Sequence, residues 1–290
     1  MKKGKDKVKG NPTARRIVTA LTTATLAVLA FIYIPLSLVT PVLMVLAALV
    51  QYEFYMMVRP RYQCAPVLGT LLGIAWIACC GYASPQGGVA FAYRNAILGV
   101  FAVAVYVLLE KRFTKPLEAM AVTLFGVLYI PVLIGAFITV ASVDGGAVSR
   151  RGIMILLWIV AATKLSDMGG FAFGKAWGRH KMCPSISPNK SWEGFGGSIF
   201  GGTLATWIAL LIAGKMDVET FFTAIAAGLL FATVGTLGDL VESRVKREAG
   251  VKDSATFMPA GLGGFLDMFD SILFTPALAA AVWSWIAYAA

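Results

Sequence analysis

Apolar runs close to the length of a membrane crossing recur along almost the whole chain, broken by charge clusters, prolines and glycines. A helix needs about 20 apolar residues to traverse a hydrocarbon core roughly 30 Å thick, and a soluble domain cannot hide so many such stretches. Of the 290 residues, 58% are AVILMFWYC and 14% are DEKR, and the mean hydropathy is +0.77. A backbone in lipid must satisfy its own hydrogen bonds, which a helix does within one segment. The fold class that follows is all-α: a polytopic integral membrane helical bundle of about nine transmembrane helices. Spans are expected near residues 17 to 36, 38 to 57, 66 to 83, 95 to 109, 118 to 142, 152 to 166, 195 to 213, 219 to 238 and 269 to 288. The third, fourth and sixth are short or contain glycine, so re-entrant or interfacial helices are the alternative there.

Lys2, Lys3, Lys5, Lys7, Lys9, Arg15 and Arg16 precede the first span. The positive-inside rule puts this amino terminus in the cytoplasm. The turns at Arg59 to Arg61 and at Glu110 to Lys115 then fall inside, whereas Arg150 and Arg151 run against the rule. This divides the chain into a basic cytoplasmic tail (1–16), amino-terminal transmembrane helices (17–150) and a carboxy-terminal catalytic membrane region (151–290) with cytoplasmic motif loops. No small-residue cleavage site ends the first apolar run, so an uncleaved span is expected rather than a secretory signal. Four cysteines, two of them adjacent at Cys79 and Cys80, form neither a disulfide framework nor a CxxC pair. The formal charge of +10 is spread over membrane-facing turns without a soluble recognition domain. It fits anionic membrane lipid and excludes nucleic acid as a partner.

Two hydrophilic islands remain, Asp167 to Gly194 and Gly238 to Asp270. In the second, Asp239 and Glu242 lie three apart where a span ends, with Ser243, Arg244, Lys246, Arg247 and Lys252 following. On a continuing helix the two acids share a face. Asp267 and Asp270 repeat that spacing directly after Gly263 and Gly264. If this pair faces Asp239 across the bundle, three or more carboxylates converge. Buried like charges need compensation, and a hard divalent ion uses carboxylate and phosphate oxygens together. The competing reading for Glu242, Arg244, Lys246 and Arg247 is a solvated face at a helix end.

The first island is rich in donors: Lys175, Arg179, Lys181 and Lys190 can meet phosphate charge, and Ser187 and Ser191 can donate hydrogen bonds. GFAFGKAWG is no Walker loop, because no Lys-Ser or Lys-Thr pair closes it. For Gly174 and Gly178, helix packing stands beside ligand binding. His180 is the single histidine, so no Cys/His metal site can be assembled, and no serine has a histidine–carboxylate constellation. Glu193 either positions a base or hydroxyl or pairs with Lys190.

The stretch Asp167 to Gly197, with SISPNKSWEGFGG at its centre, resembles phosphatidate cytidylyltransferase, also called CDP-diacylglycerol synthase. So does the second stretch, where Gly238, Asp239, Leu240, Glu242, Ser243, Lys246 and Arg247 precede Lys252, Asp253 and Pro259, and then Gly263, Gly264, Phe265, Leu266, Asp267, Asp270 and Ser271. The resemblance implies transfer of a cytidylyl group from CTP to phosphatidic acid, with Mg²⁺, more than one ion, as cofactor. It implies metal and catalytic roles for Asp239, Asp267 and Asp270, a catalytic role for Lys246, and phosphate contacts from Ser243, Lys246 and Arg247. Asp167, Lys190, Ser191, Glu193 and Lys252 fall on the nucleotide side or on structural roles, and a homodimer in a bacterial-type inner membrane is implied as well. The closing signature departs from the family pattern: the chain reads PAGLGG and LDM where members commonly read PGHGG and LDR, with Leu262 and Met268 replacing polar residues. The carboxylate spacing survives, which implies an active variant. The alternative classes are a CTP-dependent enzyme for another phosphorylated lipid, a transporter of phosphorylated solute, and a lipid-binding protein without catalysis.

Overall fold

Prolines, caps and glycines mark where each apolar run becomes a helix. The computed structural model describes residues 33–82, 88–144, 146–215, 217–254 and 264–289. Helix α1 (Leu36–Val58) leads through a short turn to α2 (Pro66–Tyr82), followed by α3 (Gly88–Leu109) and α4 (Pro116–Val127). Pro66 and Pro116 open their helices, where a missing N–H is harmless. A π-helical turn, Leu128–Val132, joins α4 to α5 (Leu133–Ala141). Pro131 lies inside it, and its missing donor and ring bulk oppose a regular ladder there. Helix α6 (Arg150–Trp177) is capped by the Ser149 side chain, which accepts from Gly152 N. A two-stranded antiparallel hairpin, β1 (Lys181–Cys183) and β2 (Ser187–Ser191), then leads into α7 (Trp192–Ile212).

Helix α8 (Val218–Ala249) starts at a capping box between Asp217 and Thr220. It ends where Gly250 turns left-handed at φ 78, letting Val251 N donate to Lys246 O at 3.0 Å. The short α9 (Phe265–Phe269) and α10 (Phe274–Ala289) complete the order.

The expectation of nine spans is corrected: among the described residues, five helical stretches are long and apolar enough to cross a membrane. They are Leu36–Val58, Pro116–Ala141, Arg150–Trp177, Trp192–Ile212 and Val218–Ala249. The proposed spans at 66 to 83 and 95 to 109 correspond to the shorter apolar helices Pro66–Tyr82 and Arg94–Leu109. The last proposed span is matched by the 16-residue α10. At 1.5 Å per residue, the 17-residue α2 and the 16-residue α10 reach roughly 25 Å or less, short of the hydrocarbon core, whereas α3 has 22 residues and counts as a short apolar helix only from Arg94 onward. The proposed span at 17 to 36 and the basic tail fall almost entirely outside the described residues. Conversely, α6 and α8 have 28 and 32 residues, much longer than their hydropathy suggests. Both islands therefore begin as helix, and Asp167, Asp239, Glu242, Ser243, Lys246 and Arg247 are presented from helices rather than loops.

The interior is built on α1, α5, α6 and the π turn, where Leu43, Phe54, Tyr55, Ile130, Ile134, Ile153 and Ile159 are buried. Large apolar side chains such as Phe101, Leu108 and Ile212 stay exposed, as expected of an integral membrane protein whose outer surface meets lipid.

Glycines set how closely α6 meets α7. A Cβ at Gly169 would lie 2.3 Å from Gly197 O, and one at Gly201 would lie 2.3 Å from Leu165 O. A Cβ at Gly202 would lie 3.1 Å from Gly228 Cα on α8, and one at Gly178 would meet Gly174 O and Ser191 Oγ. Gly174, Gly178, Gly194, Gly197, Gly201 and Gly202 are thus spent on packing inside this chain. Replacing Gly201 by Val should cost roughly 1–3 kcal/mol or more, because the obstacle is backbone that cannot rotate away. Thermal unfolding of the purified variant reads this directly, and an unchanged midpoint would contradict so tight a seam.

Candidate active site

Lys190 sits in β2, one residue before the Ser191 cap of α7, and its ammonium reaches α8. Nζ lies 2.7 Å from Asp239 Oδ2 and donates to Thr236 O at 3.0 Å. This contact joins the two hydrophilic islands. Glu193 does not pair with Lys190; it binds His180 instead, with Oε1 2.6 Å from Nδ1 and both oxygens accepting from His180 N at 3.2 Å. The hairpin is thereby closed onto the first turn of α7, and the Ser191 hydroxyl is occupied as acceptor for Gly194 N.

Asp239 and Glu242, three residues apart on α8, meet Asp270 from the turn between α9 and α10. One carboxylate oxygen from each lies within 4.8 Å of the others. That spread matches the roughly 4 to 5 Å between opposite oxygens around one hard divalent ion. Burial, followed by the charge of neighbouring Asp239, pushes the Asp270 carboxyl up to about 6. The three groups repel one another, Glu242 is buried and the other two are half-buried, so the donor set fits a cation. Asp239, Glu242 and Asp270 can hold a divalent ion.

Asp267 occupies a neighbouring position. Its Oδ1 accepts from Lys246 Nζ at 2.7 Å, and its Oδ2 accepts from Gly264 N at 2.7 Å and Ser254 N at 3.1 Å. Lys246 also stands 2.5 Å from Glu242 Oε2, so one ammonium bridges the carboxylate triad to Asp267. Glu242 is fully buried and Lys246 largely so, which removes the solvated-face reading for this pair. Arg244 and Arg247 do lie exposed.

Asp167 approaches from α6. Its Oδ2 accepts from Ser271 Oγ at 2.6 Å, and Lys164 Nζ donates to the same hydroxyl at 3.0 Å. Together with the Thr163–Thr275 hydroxyl contact at 3.0 Å, this ties α6 to the segment carrying Asp270. Ser243 Oγ donates to Asp239 Oδ1 at 3.4 Å, a long bond. Arg247 donates to Val251 O at 3.3 Å, and Lys252 is exposed in the turn beyond α8. Pro259, Leu262 and Gly263 lie outside the described residues; Met268 is exposed on α9.

Two acids matter more than the sequence suggested. Glu242 shares a helix face with Asp239, a spacing that announced it, yet the metal set read from sequence did not include it. Glu53 gave no signal at all, being an isolated acid within the apolar run of α1. It is fully buried, and its Oε2 accepts from Leu266 N at 2.9 Å, holding the start of α9 and hence the Asp267–Asp270 segment. A Glu53→Ala change leaves that N–H without its acceptor, an expected loss of about 1–3 kcal/mol. Unfolding measurements on Glu53→Ala beside Glu53→Gln, which keeps an acceptor, should show the larger drop for Ala; equal midpoints would deny Glu53 this role.

The cytidylyltransferase family model matches residues 14–286, nearly the whole chain. A phosphatidate cytidylyltransferase of Staphylococcus aureus (strain COL) is 32% identical over 230 residues, covering 79% of this chain and 84% of the relative. The chain belongs to the phosphatidate cytidylyltransferase family. Other members align over a shorter stretch: the phosphatidate cytidylyltransferase of Mycobacterium bovis is 47% identical over 116 residues, 40% of this chain and 36% of the relative's length. The enzyme of that name from Mycobacterium leprae is 46% identical over the same length. The chain therefore spans about a third of the mycobacterial family members it matches.

Proposed function

We propose that this chain transfers the cytidylyl group of CTP to phosphatidic acid, releasing pyrophosphate and forming CDP-diacylglycerol at the cytoplasmic face of a bacterial inner membrane. The observation that carries this reading is the meeting of Asp239, Glu242 and Asp270 beside Lys190 and Lys246, in a chain of this family. In the reaction, a phosphate oxygen of phosphatidic acid forms a bond to the α-phosphorus of CTP, and the bond from that phosphorus to the oxygen bridging to the β-phosphate breaks. The leaving electron pair departs on pyrophosphate. The nucleophile is already anionic, so it needs alignment and charge neutralisation rather than a strong base.

Asp239, Glu242 and Asp270 would hold magnesium, which when bound neutralises phosphate charge and polarises the phosphorus–oxygen bonds. Lys190 and Lys246 place fixed positive charge on either side of that triad, and Lys164 adds a third cation at Asp167. Asp267 orients Lys246 through its Oδ1 while its Oδ2 keeps the turn at Gly264 closed. Ser243 and Arg247, on the last two turns of α8, and Lys252, just past it, are positioned to meet phosphates arriving from water. The acyl chains of the acceptor stay among the exposed apolar side chains of the bundle, so only phosphates need enter the cation-rich centre.

The test is release of pyrophosphate by the purified protein from CTP and phosphatidic acid with magnesium, and the lipid product identified by mass spectrometry. Product requiring both substrates and the ion is expected. Folded protein that yields product only with a different phosphorylated lipid would replace the acceptor, and substrate flux across sealed vesicles without pyrophosphate would replace the reaction.

A further inference from the structure

Away from the carboxylates, the turn after α1 and the turn between α3 and α4 enclose a cavity of about 420 Å³. Arg59, Arg61, Arg112 and Lys115 line it. Against these cations stands Glu118, whose Oε2 already pairs with Lys115 at 3.3 Å and whose Oε1 accepts from Gln63 N at 2.8 Å. Arg61 gives NH1 to a backbone acceptor, Glu248 O at 2.8 Å, which leaves its charge unneutralised. Arg112 is held over the Phe113 ring at 5.0 Å, donates to Tyr106 Oη at 2.8 Å and has Nε 3.8 Å from Glu110 Oε2, a long, exposed pair that screens its charge weakly while the other contacts order its guanidinium in advance. The cavity is therefore of ordinary ligand size and lined by four cations against one acid.

Its place in the fold narrows the ligand. Tyr62 Oη donates to Glu248 Oε1 at 2.6 Å, fastening the Arg59–Cys64 turn to the end of α8. The cavity thus opens on the same end of the bundle as the carboxylate-bearing end of α8, yet Glu248 lies nine residues, about 13 Å of helix, beyond Asp239. Its rim is apolar: Val67 lines it and is 67% exposed, while Leu117 and Leu109 at the adjoining helix ends are 79% and 73% exposed. A cationic hollow bordered by lipid-facing side chains suits an amphiphile, with phosphate in the hollow and acyl chains along α2 and α4.

We propose that this cavity binds the phosphate headgroup of an anionic membrane phospholipid, at a site separate from the one that carries out cytidylyl transfer. The bound lipid clamps the two turns and, through Arg61 and Tyr62, steadies the end of α8. The ligand's chemistry is a phosphodiester anion with attached acyl chains; free phosphate offers the anion without the apolar contact.

The test reads retained lipid in the absence of CTP, so it stands apart from any activity. Full-length protein is equilibrated with micelles containing equal phosphatidylglycerol and phosphatidylcholine, and bound lipids are counted by native mass spectrometry. Wild type should prefer phosphatidylglycerol, and an Arg59→Gln/Arg112→Gln variant should lose about 25-fold of that preference, roughly fivefold for each cation. Arg59→Lys, which keeps the charge, should retain it. If the double variant does not fold, Arg59→Gln alone, with its expected fivefold loss, carries the test. An unchanged preference in the neutralised variants overturns the site. Displacement of the lipid by an equal concentration of inorganic phosphate overturns the lipid assignment in favour of a soluble anion.

Discussion

Asp270→Asn should lower cytidylyl transfer by at least about 100-fold while leaving the unfolding midpoint close to that of the parent chain. The carboxylate contributes to the set Asp239–Glu242–Asp270, whose oxygens lie within 4.8 Å. Asparagine keeps the shape and one oxygen but removes the charge on which a hard cation depends. The Ser271 N–H, which Asp270 Oδ1 accepts at 2.5 Å, can still be met by the amide oxygen, so the turn into α10 should survive. Removing a like charge from a repelling, buried group can even raise stability slightly. The discriminating measurement is the magnesium dependence of turnover: the variant should need a much higher concentration for half-maximal rate. Turnover within threefold of the parent at the same magnesium concentration would remove Asp270 from the cation set.

Lys246→Met should be the most damaging single change for the folded state. One ammonium serves two carboxylates, 2.5 Å from Glu242 and 2.7 Å from Asp267, and their side chains are 0% and 17% exposed. Methionine preserves the stem's packing but leaves both acids without their cation. Breaking a buried ion pair from one side typically costs about 3–5 kcal/mol, because the partner stays desolvated. A double variant, Lys246→Met with Glu242→Gln, should recover part of that stability while remaining inactive, since Glu242 also belongs to the cation set. Full recovery of activity in the double variant would show that Lys246 merely balances Glu242. A Lys246→Met protein as stable as the parent would mean that water reaches the pair.

Local signals were legible in the sequence. Proline and glycine boundaries, the three-residue spacing of Asp239 and Glu242, and the motif surrounding Lys190 all concern neighbours in the chain. They correctly announced helices, a shared acidic face and the family. Hydropathy was a poorer guide to helix length and number. In α6 and α8 the polar residues that lowered the local average are on the same helix as the apolar ones, and Asp167, Asp239, Glu242 and Lys246 among them meet at the site. The run at 66 to 83, apolar enough to count as a span, forms a 17-residue helix shorter than a crossing requires.

What the sequence by itself determined is therefore the class of molecule and the inventory of its chemistry: an integral membrane helical bundle of the phosphatidate cytidylyltransferase family, with acids and cations gathered in two islands. Only the tertiary structure decided which acids stand together. Asp270 joins Asp239 and Glu242, while Asp267, three residues earlier, turns to Lys246 and the Gly264 N–H. Sequence spacing cannot separate those two because α9 is only five residues long and the chain turns directly after it. Glu53 was invisible for a related reason: its partner Leu266 N is 213 residues away. Local pattern reports periodicity along one segment; the pairing of charges across segments depends on how closely the helices approach, and the glycine seam between α6 and α7 sets that distance.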